Sequence, residues 1–193
     1  MVNLDVTTPT TYSRSQLAIR IAIWVLLGWF GITLGWLACA LFVALPLIAA
    51  GAIHSSTDYP EEHGGELWDV IAFLLRFEAY LLCTVDTFAS TSDVDIELEM
   101  HGHPTVRSAL MRCVTALPVG LIVLIASAFA WIVGAFGFLT ILVARHVPEP
   151  LLGIQRATLR LQARFLAYHA SLVDDYPSLT FDTHAHRPMH RAA

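Results

Sequence analysis

Two long stretches of the chain carry no charged side chain, residues 21–53 and residues 114–144. Each exceeds the roughly 20 apolar residues that a helix needs to cross a hydrocarbon core of about 30 Å. The pattern therefore predicts two long transmembrane helices. A secretory leader does not fit the first run, which is too long and lacks a short apolar core ending at a small-residue cleavage site.

After each run the pattern loosens. Pro148 and Pro150 punctuate the end of the second, as prolines at a helix start do. The segment beyond them repeats arginine at four-residue spacing, Arg156, Arg160 and Arg164, while Leu159, Leu161, Phe165 and Leu166 fall mainly on other faces. This predicts an amphipathic helix whose basic stripe lies at the lipid interface, where each cation contributes on the order of 1 kcal/mol. The matching segment after the first run, "ELWDVIAFLLRFEAYLLCTVDTF", is more apolar and holds Arg76 and Glu78, two candidate intramembrane polar residues. Between the halves, "DVDIELEM" alternates acid and apolar from Asp93 to Met100, the period of a strand with one buried face, and "SLTFD" at residues 178–182 is a candidate partner.

The halves resemble one another. A gap-free comparison at a spacing of 88 residues pairs Pro60 with Pro148, Glu61 with Glu149 and Gly65 with Gly153. It also pairs Arg76-Phe77 with Arg164-Phe165, Ala79-Tyr80 with Ala167-Tyr168, and Val85-Asp86 with Val173-Asp174. Agreement over so many residue types reads as an internal duplication. The expected organisation is a degenerate first membrane repeat over residues 1–90, a second over residues 91–182, and a flexible His-rich tail over residues 183–193. The fold class is all-α integral membrane protein: two long transmembrane helices, each followed by an amphipathic interfacial helix, with a short β segment in the connector.

Composition agrees: 56% of residues are hydrophobic and only 14% charged, against roughly 25% charged in soluble domains. The net charge of -5 is unevenly spread, because the acids from Asp58 to Glu99 face a single base, Arg76. Arg14 and Arg20 precede the first run, and Arg145, Arg156, Arg160 and Arg164 follow the second. With one crossing per run, this bias places both termini in the cytoplasm and makes the chain a multi-pass protein of a plasma (inner) membrane. Arg107 and Arg112 run against the bias, and four spans follow if the units share one orientation.

The stretch "ILVARHVPEPLLGIQRATLRLQARFLAYHASLVDDYPSLTFD", residues 141–182, with the connector "DVDIELEMHGHPTVRSALMR" and the step "TALPVG", resembles the uncharacterised bacterial membrane family called domain of unknown function 4389. The likeness covers most of residues 93–182, and a weaker copy covers the first half. The aromatic residues usual in the family's arginine helix are largely missing, and the first copy lacks the Tyr-Pro exit. The resemblance implies a bacterial inner-membrane architecture and no mechanism, since the family has no established activity.

Candidate chemistry is sparse. Gly28, Gly31 and Gly35 form a small-residue ridge suited to close helix packing. His101 and His103, and His184, His186 and His190, suggest zinc or copper, but neither group has a third ligand at a recognised spacing. No phosphate loop, HExxH or nucleophile elbow is present, and scarce basic residues argue against nucleic acid. The expectation is a protein that is not an enzyme, without cofactor or metal, whose partners are membrane lipids and either a larger membrane complex or further copies of itself. It reads as a non-catalytic accessory or scaffold subunit. The alternative is a small homo-oligomeric transporter or channel with Arg76, Glu78 and Arg164 along its pathway, and metal handling is a third reading.

Overall fold

A computed structural model describes residues 2–29, 34–55, 63–100 and 104–178. The described residues form six helices and a two-stranded sheet: β1 (Val2–Val6), α1 (Arg14–Trp29), α2 (Leu34–Ser55), α3 (Gly64–Leu81), β2 (Val94–Leu98), α4 (Val106–Thr115), α5 (Leu117–Ala144) and α6 (Glu149–His169). Among the described residues, a strand followed by three helices thus occurs twice.

The acid-alternating connector does form a strand, but its partner is β1. The two pair antiparallel, with Leu4 opposite Ile96 and Val6 opposite Val94. Those four side chains are buried on one face while Asp5, Asp95 and Glu97 face out, which is why both strands alternate. Of the expected partner segment, residues 179–182 lie outside the described residues.

Among the described residues, the charge-free runs are shared between helices. The first contributes to both α1 and α2. The second begins in α4, whose start is fixed by a reciprocal capping box between Thr105 and Ser108, and breaks at Ala116 before Pro118 opens α5. Among the described residues one helix, Leu117–Ala144, is long and apolar enough to cross a membrane.

Helix α5 packs along a seam against α6, with further contacts to α1 through Trp131 and Phe138 and to Phe42 of α2, and leaves a broad face open. The seam is built from small residues: Gly120 meets Phe165, Ser127 meets Gln162, and Gly134 lies beside Leu82 and Gln155. Successive contacts climb α5 while descending α6, so α6 runs antiparallel alongside it. Opposite the seam, Leu121, Ile125, Phe129, Ile132, Phe136 and Leu139 are all exposed. The other sides of α6 carry β1 and α3. Arg160 donates to the Leu4 carbonyl at 3.0 Å, and Arg76 on α3 donates to the Val94 carbonyl at 3.2 Å. The sheet is thereby tied to both polar helices by arginines.

Helix α2 contains Pro46. A proline has no N–H, so the carbonyl one turn earlier, that of Phe42, loses its helical donor. His169 at the end of α6 replaces it: Nε2 lies 2.6 Å from the Phe42 oxygen, and the ring stacks on Phe42 and Phe165 at 4.5 and 5.3 Å. The acceptor is a carbonyl, so Nε2 carries the hydrogen and Nδ1 is bare. Burial holds the imidazole below its usual range, and it stays neutral at pH 7.

His169→Leu strands a buried carbonyl and is expected to lower stability by about 1–3 kcal/mol. In a Pro46→Ala background, where the substituted alanine supplies the missing N–H, the same change costs distinctly less; thermal unfolding of the four proteins in detergent checks this. Because the folded ring refuses a proton that the unfolded chain accepts, stability contributed by His169 is full above about pH 6.5 and is lost as pH falls below it. His169→Leu removes that part of the acid sensitivity.

Candidate functional site

The most deeply buried charges are two arginines from the short leading helices. Arg20 of α1 is fully enclosed. Its Nη2 lies 2.5 Å from the Val85 carbonyl and 3.2 Å from Asp86 Oδ1, and its guanidinium sits 4.4 Å from the centre of the Tyr80 ring. Arg112 of α4 repeats the arrangement. Its Nη1 reaches the carbonyls of Tyr168 and Val173 at 2.5 and 2.7 Å, its Nη2 pairs with Asp174 Oδ1 at 2.6 Å, and its guanidinium lies 4.6 Å from the Tyr168 ring centre.

The receiving backbone recurs as well. After α3, the N–H groups of Leu82, Cys83 and Thr84 donate to the carbonyls of Glu78, Tyr80 and Ala79. After α6, those of Ala170, Ser171 and Leu172 donate to Leu166, Tyr168 and Ala167. Cys83 and Ser171 both take the left-handed conformation, with φ of 63° and 60°. This reversal closes the helix end and aims the following carbonyl and carboxylate back at the arginine. Cys83 itself is walled in, and burial pushes its thiol up to about 12, so it stays a thiol at neutral pH.

A second polar group lies where α3, α5 and α6 meet. Gln162 Nε2 donates at 2.8 Å both to Glu78 Oε1 and to Ser127 Oγ. Ser127 donates its own hydrogen to the Val123 carbonyl at 2.7 Å, so toward Gln162 it only accepts. Trp131 also faces the Glu78 carboxyl, and Trp24 of α1 packs edge-on to Trp131 with centroids 4.2 Å apart. Burial pushes the Glu78 carboxyl above its usual range, with the Gln162 and Trp131 donors opposing.

The remaining residues singled out in the sequence are dispersed. Arg76 turns to β2, Glu78 to α5 and α6, and Arg164 to Ser178 at 3.3 Å, so the three do not converge. The arginines of α6 are engaged within the chain: Arg156 pairs with Glu149, Arg160 with Leu4 and Arg164 with Ser178. Gly28 falls in α1 and Gly35 in α2, while Gly31, the side-chain surroundings of all three glycines, and the histidines at 101, 103, 184, 186 and 190 lie outside the described residues. Among the described residues, no three His, Cys, Asp or Glu side chains gather as a metal site would require.

Sequence reasoning did not find the arginine pockets. A shift of 88 residues matches Tyr80 with Tyr168 and Asp86 with Asp174, but sets Arg20 against Ser108. The signal lay in a four-residue difference: Arg112 follows Arg20 by 92 residues, as the start of α4 follows that of α1.

A family described as Domain of unknown function (DUF4389) has a sequence model that matches residues 107–180. That stretch contains the whole α5–α6 hairpin and every member of the Arg112 pocket. No curated protein and no solved structure matches the chain.

Removing a buried arginine leaves its acceptors unmatched. Arg112→Ala and Arg20→Ala are each expected to cost about 3–5 kcal/mol, read as loss of folded protein in detergent. Asp174→Asn should cost only about 1 kcal/mol, since the Asp174 side chain is 51% exposed and a well-hydrated pair contributes little.

Proposed function

We propose that the chain is a non-catalytic integral membrane subunit, an accessory or scaffold that packs laterally against a larger membrane protein complex. The observation that carries this reading is the open face of α5: a 28-residue helix with a third of its most apolar window buried. An exposed apolar surface of that length marks contact with lipid or with another protein. Val43, Leu47 and Ile48 of α2 are likewise exposed, and a helix of 22 residues reaches about 33 Å, enough for a second crossing.

In this reading the chain is a tandem duplication, residues 1–90 and 91–182 with the tail 183–193, in a bacterial inner membrane with both termini cytoplasmic. The recurring arginine pockets and recurring helix ends support the duplication. Gly28, Gly31 and Gly35 remain candidate contacts for the partner. The role of Arg156, Arg160 and Arg164 is narrower than a free basic stripe. Each has a partner inside the chain: Arg156 is paired along its own helix, Arg160 holds β1 and Arg164 the exit segment, so they meet headgroups only at their exposed edges. The separate partners of Arg76, Glu78 and Arg164 weigh against a transport pathway through those three.

A tagged protein recovered from its native membranes in mild detergent, with mass spectrometry of the intact assembly, tests the proposal. The expected result is a stoichiometric larger partner. Recovery of a monomer alone overturns it, and a homo-oligomer without partners favours the transporter reading.

A further inference from the structure

The Glu78 group contains a mismatch that the accessory role does not use. Gln162 is buried and its Nε2 donates to Glu78 and Ser127, yet its Oε1 is buried without a partner. The opposite orientation of the amide is closed off, because Ser127 has given its hydrogen to Val123. A donor is therefore missing beside the Gln162 oxygen. Meanwhile, among the described residues, the carboxyl next to it faces no cation. From α5 it meets Trp131, whose buried indole N–H has no other partner, and from α6 Gln162, both uncharged. Arg76, two residues away on α3, is turned to Val94, Arg160 on α6 to Leu4, and Arg20 on α1 to Val85 and Asp86. Partial desolvation without a counter-charge favours the protonated form of a carboxyl over the ionised one.

One change resolves both mismatches. A hydrogen on the second oxygen of Glu78 supplies the donor that Gln162 Oε1 lacks, while Gln162 Nε2 already donates to Glu78 Oε1. An acid and a carboxamide then share two antiparallel hydrogen bonds in one ring. We propose that Glu78, Gln162 and Ser127 form a proton-binding site within the helix bundle, in which the protonated carboxyl pairs face to face with the Gln162 amide. Uptake takes one proton from water onto the carboxylate and breaks no covalent bond in the protein. The site stands apart from the choice of partner complex, and it is tested on the purified chain.

The sign of its pH dependence is fixed by linkage. A carboxyl held above its usual range binds its proton in the folded state after the unfolded chain has released it. Stability linked to Glu78 is thus full at acid pH and is lost as pH rises toward the folded value. Glu78→Gln is the permanent mimic of the protonated acid, since its amide can form the same ring. His169 is common to both proteins and cancels.

Thermal midpoints in detergent, compared for wild type and Glu78→Gln from acid to alkaline pH, are expected to coincide at the acid end. Wild type then falls behind by on the order of 5 °C as the pH rises. Infrared spectra at neutral pH should show a protonated-carboxyl C=O band that is absent in Glu78→Gln and moves to higher wavenumber in Gln162→Leu, where its hydrogen bond is gone. The band and its Gln162 dependence decide the matter even if Glu78→Gln folds poorly. Absence of the band with parallel midpoint curves overturns the proposal. So does a wild-type midpoint that rises with sodium but not with choline, which would make the occupant a metal cation.

Discussion

A guanidinium removed from water needs carbonyls and a counter-charge where it lies, and this constraint organises the molecule. Arg20 and Arg112 each lie under the reversal that ends a polar helix. Arg112 is held by two carbonyls, an aspartate and a tyrosine ring. Arg20 is held by one carbonyl and an aspartate through Nη2 and by a tyrosine ring, its Nε and Nη1 being buried without a hydrogen-bond partner among the described residues. An isolated buried charge would be ruinous, and a well-matched one is tolerable and highly directional. Each arginine therefore fixes where a leading helix sits relative to the exit of the last helix in its half. The left-handed turns at Cys83 and Ser171 are the backbone's part of that arrangement. They aim acceptors inward that would otherwise point at solvent.

The same requirement governs the apolar half of the molecule. Pro46 frees a carbonyl inside α2, and His169 meets it. A membrane-facing bundle can carry a helix breaker only when a neighbour satisfies what it exposes. Between α5 and its neighbours, glycine and serine allow close approach, so that α6 can bring glutamines to the seam. Gln155 reaches the Leu82 carbonyl at 2.5 Å, a contact that joins the end of α3 to the middle of the hairpin. Apolar exposure on one side of α5 and polar closure on the other are two results of one arrangement.

How much of this was legible follows from the range of each signal. The apolar runs are local, and so is the alternation of "DVDIELEM"; both survive as helix and strand. The alternation of Val2, Leu4 and Val6 is equally local, but five residues with only two polar positions carry little weight until Val94 and Ile96 are seen opposite. The step at Ala116 interrupts a run whose hydropathy does not change, so composition is blind to it. The basic stripe of α6 was legible as residues but not as partners, because what Arg160 meets is a backbone carbonyl on β1. Pro46 is conspicuous in sequence, yet the residue that answers its lost hydrogen bond lies 127 positions beyond Phe42. The arginine pockets needed a register shift between strand-led and exit-led matches, which a gap-free comparison conceals.

The pairing of β1 with β2 has a temporal side. Val2 finds Leu98, and Val6 finds Val94, so the first strand leaves the ribosome long before its complement has been polymerised. It waits while α1, α2 and α3 are synthesised. Arg160, which grips the Leu4 carbonyl, arrives later still. Contacts of such sequence separation form late because the intervening chain must be closed first. The segment nearest the start of the chain is therefore among the last to be placed, and the sheet acts as a clasp that shuts only when both halves exist.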